Sequence, residues 1–166
     1  MINDVPNTFV KILVPQDEED EIIITKIWGA LVDIICKISP RIYKPYVMSD
    51  KKSREKILYV RMLKALYGMI IASLLYYKKL RKDIESIGFE VNTYDACVSN
   101  TMVNGKQHTV ACHVDDVKSN HVYPKLNDDF HKWLEKTYGS DDIGHVEASR
   151  GKVHEYLAMT LDYTEE

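Results

Sequence analysis

Apolar and polar positions follow two different periods along the chain, and these periods predict where helices and strands lie. Between residues 66 and 87, apolar side chains recur every three to four positions, which predicts the longest helix. The same spacing predicts a second helix over 124–138. A shorter helix is predicted over 29–38, and it ends before Pro40.

Period-two alternation and β-branched residues predict the strands. Residues 97–103 and 107–114 flank Asn104-Gly105, a dipeptide that accepts the positive φ angles of a type I′ turn, so a hairpin is predicted there. Further strands are predicted at 21–28, 57–63, 89–91 and 117–122, and residues 1–14 form a strand-like opening. A strand or hairpin is predicted over 153–162. Loops are predicted over 17–21 and 39–56. Strands and helices mix without regular strand–helix–strand units, so the predicted fold class is α+β.

Composition excludes several classes of protein. The 166 residues are 45% apolar and 28% charged, which excludes collagen-like and largely disordered chains. No apolar run reaches the ~18 residues that span a bilayer, and the N-terminus lacks a secretory signal. Three scattered cysteines without a CxxC pair indicate reduced thiols rather than a disulfide framework or a zinc site. We therefore expect an intracellular protein without membrane association. Neither end of the sequence shows obvious capping, so we also expect the chain to be a fragment.

Charge is strongly segregated along the chain. Between Lys37 and Lys82 lie 13 basic and two acidic residues, a net +11 within a chain of net −3. Such a basic block is typical of a protein that contacts a polyanion. The alternative is a set of solvated helix faces, because lysine and arginine are usually exposed. The candidate nucleic-acid-binding residues crowd the later half of the long predicted helix: Lys78, Lys79, Arg81 and Lys82.

Two adjacent carboxylates stand at the end of a predicted strand. Asp115 and Asp116 follow it at the tip of a tight turn. Adjacent like charges repel, and aspartate is a poor strand former. A divalent cation would relieve the repulsion, because carboxylate oxygens suit Mg²⁺. From these residues alone, a plain solvated turn is the alternative.

Four segments match, in order and spacing, the motifs of one enzyme family. They are DVPNTF at 4–9, KALYG at 64–68, HVDD at 113–116 and GKVHEYLAMTLDY at 151–163. They resemble motif A, the start of the motif B helix, motif C and the YLGM segment of copia-type LTR-retrotransposon reverse transcriptases. The resemblance extends over nearly the whole chain.

The resemblance implies a fold and an activity. The fold would be a polymerase palm, an antiparallel sheet with the helices packed on one face, with the fingers incomplete and the thumb absent. Residues 1–166 would form one partial reverse transcriptase domain of a pol polyprotein. The activity would be RNA-directed DNA polymerisation by two-metal nucleotidyl transfer. The alternative is a catalytically inactive retrotransposon remnant with at most non-specific nucleic-acid binding.

The resemblance also implies roles for single residues. Asp4, Asp115 and Asp116 would be the catalytic residues and would hold two Mg²⁺ ions. Alternation along an extended chain leads us to expect that Asp116 reaches the metals less directly than Asp115 does. The candidate substrate-binding residues are Phe9 below the incoming sugar, and Tyr67 and Gly68 on the template and dNTP side.

The implied partners are an RNA or DNA template-primer, dNTPs, and the missing fingers, thumb and ribonuclease H portions of the polyprotein. The implied location is a cytoplasmic particle or the nucleus. The chain also departs from the family's pattern in three places. His113 replaces an aromatic residue, Ala158 replaces the glycine of YLGM, and residues 70–76 replace a segment that supplies a lysine, a glutamine and an arginine.

Overall fold

Strands and helices are mixed along the chain, as the α+β prediction states. The structure is a computed structural model that describes residues 1–15 and 22–164, so the loop predicted at 17–21 lies outside the described residues. The strands are β1 (Ile2–Asp4), β2 (Ile24–Trp28), β3 (Met48–Ser49), β4 (Lys56–Arg61), β5 (Glu90–Val91), β6 (Val98–Val103), β7 (Lys106–His113), β8 (Asp116–Asn120), β9 (Glu147–Ser149), β10 (Val153–Tyr156) and β11 (Met159–Asp162). The α-helices are α1 (Ala30–Ile38), α2 (Pro40–Tyr43), α3 (Ala72–Ser86) and α4 (Pro124–Tyr138).

The chain divides into two units. Residues 1–12 and 65–166 form the larger one, and residues 13–64 form the smaller one. The basic block therefore divides at Lys64, and only its last four cations belong to the larger unit. No helix of the described residues is long and apolar enough to cross a membrane.

The larger unit is built on a six-stranded sheet in the order β5-β6-β7-β8-β1-β9, in which every pair is antiparallel. The predicted hairpin is confirmed, because β6 and β7 pair across Asn104 (φ 51°) and Gly105 (φ 73°). The N-terminal strand β1 lies between β8 and β9, far from its neighbours in sequence. β10 and β11 form a separate hairpin.

Both long helices of this unit pack on one face of the sheet. Asn3 and Val117 are partners in the β1–β8 register, so their side chains and that of Ser119 share a face. From α4, His131 Nδ1 lies 3.0 Å from Asn3 Oδ1, and Asn127 accepts a 2.8 Å hydrogen bond from Ser119. α3 joins α4 on that face through the buried rings of Tyr76 and Tyr138, whose centroids are 6.2 Å apart.

The longest helix begins later than predicted. It starts at Ala72 rather than at residue 66, and Gly68 lies before it with φ +88°, a value outside the right-handed helical region. The residues expected to begin its apolar stripe are exposed, with Leu66 at 45% and Ile70 at 98%. The buried stripe has instead an i, i+4 spacing, formed by Ala72, Tyr76, Leu80 and Ile84.

The smaller unit is a three-stranded antiparallel sheet, β2-β4-β3, covered by α1. Val32 and Cys36 of α1 pack with Leu58 of β4 to form its core. The region predicted as a loop over 39–56 contains α2, a 3₁₀ turn at Lys44–Tyr46 and the short strand β3.

Candidate functional site

The sheet brings the predicted aspartates together from opposite ends of the sequence. Asp4, the last residue of β1, is the direct partner of Asp116, the first residue of β8. The Val5 N–H donates a 3.0 Å hydrogen bond to the Asp115 carbonyl. Opposed residues of an antiparallel pair point to the same face, with Cβ atoms about 4.5–5.5 Å apart. The Asp4 and Asp116 carboxylates are therefore neighbours on one face.

The register places the two adjacent aspartates in different surroundings. Asp115 lies in the two-residue turn between β7 and β8, where strict strand alternation does not apply. Asp116 is the residue that lies opposite Asp4 in the register, whereas the charge of Asp115 raises the pKa of Asp4 more than the charge of Asp116 does. The expectation that Asp116 reaches the metals less directly therefore stays a prediction. The carboxylate face is the one that the helices leave free, because Asp4 points away from the side of Asn3.

The turn itself has an unusual backbone. Val114 is its first residue and has φ 50°. A two-residue turn with positive φ at this position favours glycine, because a β-branched side chain is strained there. Strain of this kind collects at functional sites, where the surrounding structure maintains it. Here the strain falls directly before Asp115.

Sequence reasoning missed a fourth carboxylate residue that lies beside the three aspartates. β9 pairs with the other side of β1 and places Glu147 opposite Asp4, while His113 of β7 lies opposite Asp116. One row of titratable side chains thus crosses four neighbouring strands: His113, Asp116, Asp4 and Glu147. The only signal for Glu147 was its charge, since the three-residue strand β9 has no alternation of buried and exposed positions.

Partial desolvation and repulsion by neighbouring charges raise the pKa values of Asp4 and Asp116. Desolvation raises the pKa of Asp4 most, and the charges of Asp115, Asp116 and Glu147 raise it further. Desolvation also raises the pKa of Asp116, with Asp115 adding to the effect and His113 opposing it. The neighbouring carboxylates thus make the ionisation of Asp4 and Asp116 more costly. A cation placed among them would favour the charged forms.

The carboxylate oxygens of the row are a suitable ligand type for Mg²⁺, but the side chains are not arranged as a metal-binding site. Carboxylate oxygens are the hard donors that Mg²⁺ prefers. Within residues 1–15 and 22–164, however, no three His, Cys, Asp or Glu side chains converge as a metal-ligand set. The backbone register makes Asp4 and Asp116 neighbours without bringing a third ligand from the described residues into such a set.

The predicted substrate-binding residues also meet. The Phe9 and Tyr67 rings contact edge to face with centroids 4.8 Å apart, and Phe9 also contacts the buried Tyr76 ring at 6.3 Å. Tyr67 and Gly68 lie in the turn before α3 and not inside the helix, which corrects their predicted position. A Cβ at Gly68 would meet no atom within 4 Å, so its positive φ, rather than crowding, favours glycine.

The four candidate nucleic-acid-binding cations are exposed on α3, and two of them have partners within that helix. Lys79 pairs with Asp83 at 2.5 Å, and Arg81 pairs with Glu85 at 3.1 Å. Lys78 and Lys82 lie one helical turn apart on one side, and neither has an ion pair among the described residues. These two are the cations best placed to meet a phosphate backbone.

Comparisons of the chain with protein-family models, with curated proteins and with solved structures found no match.

Proposed function

We propose that the chain is an RNA-directed DNA polymerase domain of the copia-type retrotransposon class, acting by two-metal nucleotidyl transfer. One observation supports the proposal above the others. Asp4 of the motif A-like segment lies directly opposite Asp116 of the motif C-like segment, although more than a hundred positions separate them. A shared catalytic site requires that the motif A-like and motif C-like segments lie side by side. Their order in the sequence does not by itself make them pair.

The architecture adds support for a palm-like interpretation. An antiparallel sheet has its helices on one face and its carboxylates on the other. In this proposal, a long ligand such as a template-primer duplex would bind at the carboxylate row on that second face. The β10–β11 hairpin carries the YLAM segment, and its neighbour Tyr163 accepts a 2.7 Å hydrogen bond from Lys118 on the carboxylate face.

The candidate site residues have separate chemical tasks in this proposal. Asp4, Asp115 and Asp116 would hold the divalent ions, which supply charge neutralisation during phosphoryl transfer. The Phe9 and Tyr67 rings would pack against the sugar and base of the incoming nucleotide. Lys78 and Lys82 would contact phosphates, because a solvated ammonium group binds phosphate as a point charge.

Primer extension on poly(rA)/oligo(dT) with Mg²⁺ tests the proposal. We expect Asp4→Asn and Asp115→Asn each to lower turnover by at least about 100-fold, since each removes a charge from the transition-state environment. Asp142→Asn is the matched control, because Asp142 is an exposed aspartate outside the row. Full extension by Asp4→Asn would refute the assignment of Asp4.

Non-catalytic binding of nucleic acid is the second candidate, and the exposed pair Lys78 and Lys82 favours it. Binding through these cations would be independent of sequence and would weaken steeply between about 50 and 200 mM salt. Replacing both with glutamine should reduce the salt slope by up to about 2, while Asp4→Asn should leave binding intact. A chain that binds in this way and never extends a primer would support the second candidate over the first.

A further inference from the structure

Two cysteines lie opposite each other on neighbouring strands. The β6–β7 register ends with Val98 paired to Ala111, and its continuation by one residue places Cys97 opposite Cys112. The backbone confirms this continuation, because the Cys112 N–H donates a 2.9 Å hydrogen bond to the Cys97 carbonyl. Cys97 and Cys112 therefore form a hydrogen-bonded pair, in which the Cα atoms are about 5.5 Å apart. A disulfide requires a Cα separation of roughly 4.4–6.8 Å, so the backbone spacing suits one.

The side chains share a side of the sheet as well as a register position. Cys97 and Cys112 both line an open cleft of about 350 Å³ between α3 and β7, with Leu80 on the helix side. Both also line the adjoining crevice beside Ile84. Burial raises the pKa of the Cys112 thiol to about 12, and the nearby Cys97 thiol adds to the effect. The two sulfurs therefore face the same space and act on each other electrostatically.

The two thiols differ in access to solvent. Cys97 is exposed, and Cys112 is only partly so. Cys97 is therefore the thiol that an external disulfide can reach first, with Cys112 beside it to displace the mixed disulfide. The third cysteine, Cys36, is buried in the core of the smaller unit against Val32 and Leu58.

We propose that Cys97 and Cys112 are a redox modification site that closes to a reversible disulfide on reaction with a low-molecular-weight disulfide of the glutathione type. Cys97 loses its proton and attacks one sulfur of the oxidant; the oxidant's S–S bond breaks, and one thiol leaves. Cys112 then loses its proton and attacks the Cys97 sulfur, releasing the second thiol. Two protein thiols are oxidised, one external disulfide is reduced to two thiols, and the atoms and electrons balance.

The bond would connect β6 to β7 one residue before His113 and the strained turn that carries Asp115. It would also bridge the floor of the cleft beside α3. The inference does not rest on the proposed polymerase function. The register of the two strands supports it, whatever the carboxylate row does.

Thiol counting and peptide mapping test the proposal on the full chain. The reduced protein has three free cysteines, and we expect oxidised glutathione to leave one, Cys36, with a Cys97–Cys112 linkage in the peptide map. Cys36→Ser should leave that linkage intact, whereas Cys97→Ser should abolish it. Cys97 is exposed, so this variant remains informative even if Cys112→Ser fails to fold.

A folding control separates preorganisation from chance pairing. The ratio of oxidised to reduced glutathione at half-oxidation should be at least about tenfold lower in the native chain than in urea, because the fold brings the thiols together beforehand. An equal ratio in both conditions would overturn the proposal. A stable glutathionyl group on Cys97 with Cys112 still free would also overturn it, as would a dimer linked through Cys97.

Discussion

Removing the central charge of the carboxylate row should stabilise the protein when no divalent cation is present. Asp4 has a carboxylate opposite it on each side, Asp116 on β8 and Glu147 on β9. Asp4→Asn keeps the shape of the side chain and removes both of these repulsions, together with the repulsion by the Asp115 charge. A residue chosen only for folding would not be an aspartate, so the expected sign is a gain in the free energy of unfolding.

The magnitude follows from the cross-strand pairs. A directly opposed pair contributes roughly 0.2–1 kcal/mol, and like charges make that contribution unfavourable. Asp4 has two such partners and is exposed, so solvent screens both. We expect a net gain of about 0.5–1 kcal/mol. For a chain of this length, the gain corresponds to a rise in Tm of roughly 1–4 °C.

The pH dependence provides a second test of the same argument. The pKa of Asp4 is higher in the folded chain than in the unfolded chain. At a pH between these two pKa values, the folded chain therefore binds more protons than the unfolded chain. Stability is lost over that window, and the loss then persists at higher pH. The advantage of Asp4→Asn should therefore be full near neutral pH and vanish below about pH 4.

Thermal and urea unfolding in EDTA, at several pH values, measure the effect. Asp142→Asn is the control for a change of aspartate to asparagine at an exposed site outside the row. Adding Mg²⁺ should stabilise the unaltered chain more than Asp4→Asn if the row binds the ion. A loss of more than about 1 kcal/mol for Asp4→Asn in EDTA would refute the repulsion argument, because it would mean that the carboxylate makes a stabilising bond.

Three further predictions concern residues away from the carboxylate row. His108 is 4% exposed, and burial lowers its pKa to about 4. The unfolded chain therefore binds the extra proton first, and the free energy of unfolding should fall by roughly 2–4 kcal/mol as the pH drops from about 6.5 to 4. Urea unfolding should show a shallower fall for His108→Gln. Among the residues that the structure describes, the buried hydroxyl of Tyr76 has no hydrogen-bond partner. Tyr76→Phe should therefore raise the free energy of unfolding measured in urea by about 1 kcal/mol, and a comparable loss would contradict this. Ala158 has φ 57°, so Ala158→Gly should be neutral or raise stability by up to about 1 kcal/mol in thermal unfolding, whereas the strand variant Ala111→Gly should lower it.

Features that short-range chemistry determines were predictable from the sequence. The bounds of α4 match the prediction over 124–138, because Pro124 suits the first turn and Gly139 follows the last residue. The β6–β7 hairpin was predictable because the Asn-Gly pair allows both turn residues a positive φ. In both cases the deciding residues lie inside or beside the element.

Features that depend on long-range pairing were not predictable in this way. Glu147 joins the row only because β9 pairs with β1, and no pattern within three residues indicates that partner. The start of α3 was missed because Leu66 and Ile70 have helical spacing but remain exposed, while Gly68 has a left-handed backbone. Apolar spacing shows which residues could share a face, and only tertiary packing determines whether that face is buried.

The position of β1 makes the sheet dependent on strand insertion. Its three residues pair with β8 on one side and β9 on the other, so a chain without residues 1–12 would present two open sheet edges at once. Open edges recruit other strands, and such a chain should self-associate. A synthetic peptide of residues 1–12 should then bind by strand addition and restore both pairings. Because that peptide carries Asp4, the row of carboxylates could be assembled from two separate chains, with the peptide's sequence determining whether the central charge is present.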